Sequence, residues 1–344
     1  MTTAFVTGGS GFLGRTLVAT LAVRGIRVRA LARSTDAADT VRRAGAEPVT
    51  GDLDDVSAMT AGMTGCDVVF HTAAIVAEWG DAQLFDRVNV GGTERALAAA
   101  RAAGVPRFVH VSTEAVLAGP APIVGVDETA PKPAVPYGPY ARTKSLAEDR
   151  VVAANSSGLT TVVVRPRLMW GAGDTSVLPK IVAAVRAGRF RWIDGGHYAC
   201  STTHVRNACE ALRLAAERGR GGAIYFATDG APVEFRTFIT ALLASQGVTP
   251  SARRLPRPAA WVIATIVETV WGWLRLQSAP PTTRMAVKMM GEAVTLDDRR
   301  ARRELGYAPV VTVEAGLQEL AASGPSAQTG APRGRAATTA SGSR

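Results

Sequence analysis

A glycine-rich turn close to the start of the chain constrains the fold more than any other segment. Its residues are Gly8, Gly9, Ser10, Gly11, Phe12, Leu13 and Gly14. The turn follows a short apolar run, Ala4–Thr7, and precedes residues with helical periodicity. Glycine lets the backbone approach phosphate groups closely, and a helix N-terminus offers free N–H groups and a positive dipole end. The spacing Gly-x-Gly-x-x-Gly between a strand and a helix therefore predicts a site for the pyrophosphate of a dinucleotide.

Short β-branched runs alternate with helical stretches along most of the chain. The predicted strands are Ala4–Thr7, Val28–Ala32, Glu47–Thr50, Val68–His71, Phe108–Val111, Thr161–Val164 and Ala223–Ala227. This alternation is typical of a parallel sheet wound with helices. We therefore expect an α/β fold, a Rossmann-type doubly wound parallel sheet with a smaller interleaved C-terminal substrate lobe.

The same pattern divides the chain into three parts. Residues 1–165 and about 204–228 are predicted to form the dinucleotide-binding domain. Residues 166–203 and 229–322 are predicted to form the substrate-binding lobe. Residues 323–344 contain only Gly, Pro, Ala, Ser, Thr, Gln and Arg, which cannot bury enough apolar surface to offset ordering entropy. We expect a disordered tail there.

The composition limits the class of protein and its partners. Of 344 residues, 47% are apolar and 20% charged, as in an ordinary folded protein. The net charge is +10, but the basic residues are scattered and form no stripe with interleaved aromatic side chains. We therefore expect no nucleic-acid partner.

The cysteines and the first residues predict a compartment. Cys66, Cys200 and Cys209 have no metal-ligand spacing, so we expect neither a metal site nor a disulfide framework, and a reducing environment. No charged region with a long apolar stretch precedes the glycine-rich turn, which argues against a signal peptide. Both observations predict a cytoplasmic protein.

The end of the second predicted strand indicates which nicotinamide cofactor fits. An acidic residue there is suited to the ribose 2′-hydroxyl of NAD, and an Arg nearby to the 2′-phosphate of NADP. Here Ala32 removes the competing negative charge and Arg33 supplies a planar guanidinium. NADP(H) is therefore preferred. NAD(H) is the alternative, in which Asp36 takes the acidic role and Arg33 is merely solvated.

The third predicted strand ends at residues that suit the adenine. Asp52 and Leu53 are placed to hydrogen-bond to this base and to pack on it. A Gly-Asp pair after a strand is also ordinary turn chemistry, so the assignment has a plain alternative.

A tyrosine, a lysine and a pair of adjacent hydroxyl residues form the candidate catalytic set. Tyr140 and Lys144 are four residues apart, one turn apart on the same face of a helix. An ammonium near a phenol favours the phenolate, so the tyrosine would exchange a proton with a carbonyl or alcohol oxygen as hydride moves. Ser112 and Thr113 follow the fifth predicted strand, at the sheet edge where ligands of such folds are expected. A hydroxyl there can orient the substrate oxygen.

With these motifs in order, the chain resembles the extended short-chain dehydrogenases/reductases of the NAD(P)-dependent epimerase/dehydratase superfamily, and within them the 3β-hydroxysteroid dehydrogenase branch. The matching segments are Thr7–Gly14, His71–Ala74, Asn89–Thr93, Val111–Val116, Tyr140–Lys144, Arg165–Pro166, Trp170–Gly171, His204–Asn207 and Ala301–Tyr307. They cover nearly everything before Ser323. One departure is Arg206, where the family commonly has Asp.

The resemblance implies roles for residues that spacing alone does not assign. It puts the catalytic hydroxyl at Thr113 and not at Ser112. It also implies a supporting role for Asn89 and a homodimer built from the helices near Asn89–Ala103 and Tyr137–Ala154. It also implies that several residues contact the cofactor. These are Tyr140, Lys144, Thr72, Ala73, Ala74 and Pro166.

The segment Ala259–Leu276 is the best sequence clue to the substrate. It is rich in Trp and aliphatic residues and has a narrow polar stripe at helical spacing, formed by Thr265, Glu268, Gly272 and Arg275. An ordinary core helix of the small lobe is the plain interpretation; the others are a cap on an apolar pocket and a peripheral membrane contact.

These observations predict an NAD(P)-dependent oxidoreductase that interconverts a secondary alcohol and a ketone. The expected substrate is apolar, a 3β-hydroxysteroid, a sterol or a 3-oxo lipid. One alternative is a sugar-nucleotide epimerase or dehydratase, for which Arg186, Arg189 and Arg191 would bind a second diphosphate. The other is a catalytically idle dinucleotide sensor.

Overall fold

The computed structural model describes residues 1–324. The predicted tail, 323–344, lies outside the described residues except for Ser323 and Gly324. The strands are β1 (Thr3–Thr7), β2 (Arg27–Ala32), β3 (Ala46–Thr50), β4 (Val68–His71), β5 (Arg107–Val111), β6 (Ile123–Val126), β7 (Thr160–Pro166), β8 (Met169–Trp170), β9 (Trp192–Ile193), β10 (Ala199–Cys200), β11 (Thr203–His204), β12 (Ile224–Ala227), β13 (Val233–Glu234), β14 (Arg254–Leu255) and β15 (Val294–Leu296).

Helices connect most of these strands. They are α1 (Phe12–Val23), α2 (Thr35–Arg43), α3 (Val56–Met63), α4 (Ala82–Phe85), α5 (Gly92–Ala102), α6 (Gly138–Ala153), α7 (Leu178–Arg186), α8 (Val205–Arg218), α9 (Phe235–Ala244), α10 (Arg257–Trp273), α11 (Arg284–Met290), α12 (Arg299–Leu305) and α13 (Val313–Ser323). A π-helical turn, Asp86–Gly91, joins α4 to α5.

Seven parallel strands form the main sheet, in the order β12-β7-β5-β4-β1-β2-β3. The predicted doubly wound α/β fold is confirmed, and every predicted strand overlaps one of these seven. The largest difference is β7, which continues to Pro166 because it still pairs there with Ala227 of β12. Strand order reverses between β1 and β4, the position at which open sheets of this kind bind ligands.

Two apolar layers cover the faces of the main sheet. On one face Leu17 of α1 and Leu212 of α8 are fully buried. On the other, Met59 of α3 and Leu97 of α5 are buried in one apolar cluster with Phe5 of β1. Strands covered on both faces read as continuous apolar runs, which is why periodicity predicted them so closely.

A smaller sheet lies beside the main one, with the strand order β13-β10-β15-β6. Two segments lie across the predicted division of the chain. Strand β6, from the predicted dinucleotide-binding part, pairs with β15. Conversely, Ala301 and Leu305 of α12, from the predicted small lobe, are buried in the core on the main sheet. Short local runs do not reveal such long-range pairings.

Helix α10 has an unusual distribution of apolar and polar side chains. Only half of the predicted polar stripe faces inward: Thr265 and Glu268 are half-buried, and Glu268 bonds to Arg284 of α11 at 2.6 Å, whereas Gly272 and Arg275 are exposed. The apolar side chains Val262, Ile266 and Trp273 are 56%, 58% and 82% exposed. The favoured interpretation of an ordinary core helix is therefore wrong for most of its surface, because only Ala260 and Ala264 are buried. Among residues 1–324, no helix is long and apolar enough to span a membrane.

Candidate active site

The glycine-rich turn connects β1 to α1 and gives this helix an open N-terminus. Gly8 has φ +70°, and a Cβ there would lie 2.7 Å from the backbone nitrogen of Ala73. A Cβ on Gly14 would lie 2.1 Å from the carbonyl oxygen of Gly8. Only glycine fits at either position. Gly11, at the helix N-cap, is exposed, and no acidic side chain occupies the first turn.

Strand β2 ends beside this turn with side chains that suit a phosphate. Ala32 is buried and Arg33 is exposed, and Arg33 forms no ion pair among residues 1–324. Ser34 caps α2 by accepting a hydrogen bond from Ala37 N–H. Asp36, in the first turn of α2, is also exposed. Both the guanidinium and the competing carboxylate are thus accessible to a ligand.

Asp52 and Leu53 have identifiable structural roles. Asp52 accepts a hydrogen bond from Asp54 N–H at 2.8 Å, which is the turn chemistry that the sequence left open. Leu53 packs against Gly92 of α5, since a Cβ on that glycine would approach its Cδ1 to 2.8 Å. Contact of either residue with adenine stays a prediction.

The segment after β4 packs against the glycine-rich turn through threonine hydroxyls. Thr72 donates to the carbonyl oxygen of Thr7 at 2.7 Å. His71 bonds through Nδ1 to Thr7 Oγ1 at 2.8 Å and through Nε2 to Thr93 Oγ1 at 3.1 Å. Burial and the nearby Lys144 charge lower the pKa of His71 to about 3. The imidazole is therefore neutral and structural, while Ala73 and Ala74 remain partly accessible beside the turn.

Asn89 ties the loop after β4 to helix α6. It lies in the π-helical turn, a feature frequent at functional sites. Its Oδ1 accepts from Ile75 N–H at 2.8 Å, and its Nδ2 donates to Thr143 Oγ1 at 3.1 Å. Asn89 thus holds the helix that carries the candidate tyrosine.

Lys144 is buried in a set of contacts that the sequence did not predict. Its ammonium donates to the carbonyl oxygen of Val111 at 2.6 Å and bonds to His110 Nε2 at 3.1 Å. Burial lowers the pKa of this lysine to about 8, against the opposing charge of Glu148. Two of its three N–H donors are therefore used within the protein, and one is left.

Tyr140 lies in the first turn of α6 and is partly buried. The expectation that Lys144 lowers the pKa of this phenol is wrong for the protein alone. Burial raises the pKa of Tyr140, the nearby Glu114 carboxylate raises it further, and the Thr113 hydroxyl lowers it in part. The ammonium is turned to Val111 and His110 instead. The phenol is therefore protonated at neutral pH, as a proton donor must be.

The two neighbouring hydroxyls after β5 have different surroundings. Ser112 donates at 2.7 Å to the buried Glu148, which pairs with Arg165 at 2.6 Å. Its hydroxyl is committed to the core. Thr113 instead lies near Tyr140 and donates to Glu114 at 2.8 Å. This geometry favours Thr113 over Ser112 as the hydroxyl available to a substrate.

Three further polar residues around the site escaped the sequence analysis. Glu114 is only 7% exposed, and Arg167 Nε lies 3.8 Å from its carboxylate. His110 is fully buried, and its Nδ1 has no hydrogen-bond partner within the described residues. Their positions in or beside apolar strands concealed all three, and a charged residue three positions after a buried strand was the available signal for Glu114. Pro166 is buried at the end of β7.

In the motif His204–Asn207 the position where the family commonly has Asp is occupied by Arg206. Arg206 pairs with Glu319 of α13 at 2.5 Å. The half-buried Asp229 instead accepts from His204 N–H and from the Asn207 amide. An acidic group therefore serves this motif from another part of the chain.

These residues fit a nicotinamide dinucleotide. The open N-terminus of α1 offers N–H groups without an acidic competitor, and Lys144 retains one donor beside Tyr140. The 3-beta hydroxysteroid dehydrogenase/isomerase family matches residues 5–257, more than half of the chain. The chain belongs to this family. The resemblance inferred from its motifs is confirmed.

Named relatives and a solved structure extend the match beyond this range. The 4-hydroxy-2-methyl-3-oxo-4-farnesyl-3,4-dihydroquinoline-1-oxide ketoreductase of Stigmatella aurantiaca is 52% identical over 328 residues, 95% of this chain and 98% of the relative. The 2-alkyl-3-oxoalkanoate reductase of Stenotrophomonas maltophilia is 38% identical over 331 residues, 92% of this chain and 98% of the relative. The crystal structure of gox2253 has a TM-score of 0.76 at 26% identity and covers 94% of this chain and 97% of its own.

The family and the site together define the reaction class. The protein is an oxidoreductase that acts on CH–OH groups with a nicotinamide dinucleotide cofactor. The predicted class of enzyme is confirmed.

Proposed function

We propose that this enzyme uses NADP(H) to reduce a ketone that carries a long or bulky hydrocarbon group. The observation that carries the proposal is the apolar environment of Tyr140. This residue packs against a buried cluster that includes Met285 and Met289 of α11. Tyr137, one turn earlier, meets Trp261 of α10 edge-on at 5.2 Å.

The names of the two relatives support this substrate class. Each relative is named for an oxo compound with a hydrocarbon substituent, farnesyl in one case and alkyl in the other. A ketone flanked by such a group would lie against the methionine side chains, which adapt readily to irregular apolar surfaces. A sterol ketone would likewise need an apolar surface beside the reacting carbonyl group.

Each residue of the catalytic set has a distinct part in the proposed reaction. The bound nicotinamide supplies or accepts hydride. Tyr140 donates its phenolic proton to the ketone oxygen, and Thr113 orients that oxygen. Lys144 uses its remaining N–H to hold the cofactor ribose, while His110 and Val111 fix the ammonium. Arg33 binds the 2′-phosphate, which gives the preference for NADP(H).

The sugar-nucleotide alternative has less support. Arg191, one of three arginines suited to a second diphosphate, already donates to the carbonyl oxygens of Gly188 and Phe190 at 2.8 Å. Phe190 in turn packs edge-on against Trp192 at 4.8 Å. The side chains of this segment therefore make contacts within the protein that would compete with a second diphosphate. The sensor alternative does not account for the complete catalytic set of Tyr140, Thr113 and Lys144, because cofactor binding alone needs no proton donor.

Turnover assays separate the three functions. The protein is mixed with NADPH and, in parallel, with a 2-alkyl-3-oxoalkanoate, a farnesylated 3-oxo-quinoline N-oxide, a 3-ketosteroid and UDP-glucose. Oxidation of NADPH that depends on one of the ketones supports the proposal. Conversion of UDP-glucose alone supports the epimerase, and cofactor binding without any turnover supports the sensor.

We further propose that the exposed face of α10 rests on an anionic lipid surface. Its apolar side chains lie close in sequence to Arg253, Arg254 and Arg275, which form no ion pair among residues 1–324. Basic residues beside apolar ones are typical of interfacial helices. Vesicles of phosphatidylglycerol and phosphatidylcholine should sediment the wild type. Ile266→Ser should weaken this, whereas Val310→Ser, equally exposed elsewhere, should not. Equal binding by both variants would refute the contact.

A homodimer through the helices near Asn89–Ala103 and Tyr137–Ala154 is proposed as well. Leu146 of α6 is exposed on this surface. Sedimentation velocity should give a dimer that Leu146→Asp converts to a monomer; a monomeric wild type would refute it.

A further inference from the structure

A buried carboxylate shares a hydrogen bond with the proposed substrate-orienting hydroxyl. Glu114 directly follows Thr113 and is 7% exposed. Its Oε2 accepts the Thr113 hydroxyl proton at 2.8 Å. Its negative charge also reaches Tyr140 and opposes formation of the phenolate. The group therefore acts on both residues assigned to the substrate oxygen.

Counting donors and acceptors shows why the protonation state of Glu114 matters. A threonine hydroxyl has one proton to donate and two lone pairs that accept. Thr113 Oγ1 already accepts from Ala115 N–H at 3.2 Å. When Glu114 is ionised, the single Thr113 proton is directed to the carboxylate. When Glu114 is protonated, it donates to Thr113, which is then free to donate to a ketone oxygen.

Three groups face Glu114 from other elements. Arg167, which precedes β8, holds its Nε 3.8 Å from Glu114 Oε1, and this Nε has no hydrogen-bond partner in the described part of the chain. Its other nitrogens donate to the carbonyl oxygens of Ser201 and Met289. The thiol of Cys200 in β10 bonds to the same guanidinium, and Tyr140 of α6 is the third group.

The surroundings of Glu114 oppose one another. Burial raises the pKa of this carboxyl, whereas the Arg167 charge and the Thr113 hydrogen bond lower it. The net direction is upward. At 3.8 Å Arg167 lies beyond hydrogen-bond distance, so no hydrogen bond from its guanidinium holds Glu114 in the ionised form.

We propose that Glu114 is a positioning residue that sets the direction of the Thr113 hydrogen bond and thereby controls ketone reduction. This rests on the proposed roles of Thr113 and Tyr140. Protonated Glu114 releases the Thr113 proton for the substrate oxygen. Ionised Glu114 withdraws it, so reduction declines as pH rises through the pKa of Glu114.

The test compares pH profiles of the reduction rate at saturating NADPH and ketone. The wild type should lose about tenfold in rate across the Glu114 ionisation, the equivalent of one hydrogen bond. Glu114→Gln, whose amide donates to Thr113 without titrating, should lack this decline. Glu128→Gln is the matched control, because Glu128 is a buried carboxyl bonded to Phe226 N–H and away from Thr113. It should keep the wild-type profile.

A second variant and a spectroscopic readout cover the case in which Glu114→Gln does not fold. Thr113→Val removes the hydroxyl whose direction Glu114 sets and should abolish most of the decline, leaving only the direct effect of the Glu114 charge on Tyr140. Infrared titration of the wild type should give a protonated-carboxyl band that disappears on ionisation and shifts on exchange into D₂O. A decline that persists unchanged in Glu114→Gln or in Thr113→Val overturns the proposal. So does a wild type without either the decline or the band.

Failure of this proposal differs from failure of the proposed function. If no ketone is reduced, the function fails, while the infrared band still reports whether Glu114 titrates. If ketones are reduced and Tyr140→Phe is inactive, but the profile ignores Glu114, only the present proposal fails.

Discussion

Replacement of Arg33 by Ala tests which nicotinamide cofactor the enzyme prefers. Arg33 is exposed at the end of β2, forms no ion pair within residues 1–324, and follows a buried alanine. Its removal costs no internal contact seen in the structure. The expected loss is therefore confined to the interaction with the 2′-phosphate, which NADPH has and NADH lacks.

The size of the loss follows from the exposure of the guanidinium. Hydrogen bonds to charged groups contribute about 1.5–3 kcal/mol, and exposed ion pairs at most about 1 kcal/mol. An exposed but bidentate contact should lie between these limits, at about 1–2 kcal/mol. NADPH should then bind about 5- to 30-fold more weakly to Arg33→Ala, and NADH by less than about twofold.

Fluorescence titration of both cofactors at fixed ionic strength measures this difference. Arg43→Ala is the matched control, because Arg43 is an exposed arginine in the last turn of α2 and its loss changes the net charge equally. Asp36→Asn tests the alternative assignment and should weaken NADH only if Asp36 binds the ribose hydroxyls. Equal losses of NADPH and NADH in Arg33→Ala would refute the reasoning.

Three further predictions follow from the geometry. Thr113→Val should lower kcat by about tenfold or more with little change in Tm. Ser112→Ala should leave kcat unchanged and lower the free energy of unfolding by about 1–3 kcal/mol, because Glu148 loses a buried hydrogen-bond donor. Steady-state kinetics and urea unfolding measure the two effects, and the reverse pattern would exchange the roles of Thr113 and Ser112. Gly14→Ala should abolish fluorescence-detected NADPH binding and lower Tm by several degrees, since its Cβ would lie 2.1 Å from a carbonyl oxygen; intact binding would contradict this. The free energy of unfolding should fall as pH drops from about 6.5 toward 3, because the unfolded imidazole of His71 binds a proton that the folded one, with a pKa of about 3, rejects. Urea denaturation at a series of pH values measures this free energy. Its pH dependence should be weaker in His71→Gln, whereas His197→Gln, which changes an exposed histidine, should have the pH dependence of the wild type.

The main sheet could be predicted from sequence because its strands are buried on both faces. Such strands form continuous apolar runs, and Val68–His71 was predicted with its observed bounds. The glycine-rich turn was equally plain, since Gly8 and Gly14 occupy positions where any Cβ would collide. Each of these features is encoded in a short run of consecutive residues, so local patterns report them well.

The parts that the sequence did not reveal depend on distant contacts. Glu268 of α10 faces inward because it bonds to Arg284 of α11, and the periodicity of α10 alone does not say which face is buried. The Lys144 ammonium faces His110 and Val111, which lie on another element. Glu114 is buried beside Arg167, which comes from a part of the chain more than fifty residues later. Each required the folded chain.

The most direct test of the proposed mechanism is single-turnover hydride transfer from NADPH to a 2-alkyl-3-oxoalkanoate in the wild type and in Tyr140→Phe. The substitution removes only the oxygen that transfers the proton. NADPH should bind with unchanged affinity, and the transfer rate should fall by about 100- to 10,000-fold, the usual contribution of a general acid. A Tyr140→Phe enzyme that transfers hydride at the wild-type rate would contradict the account.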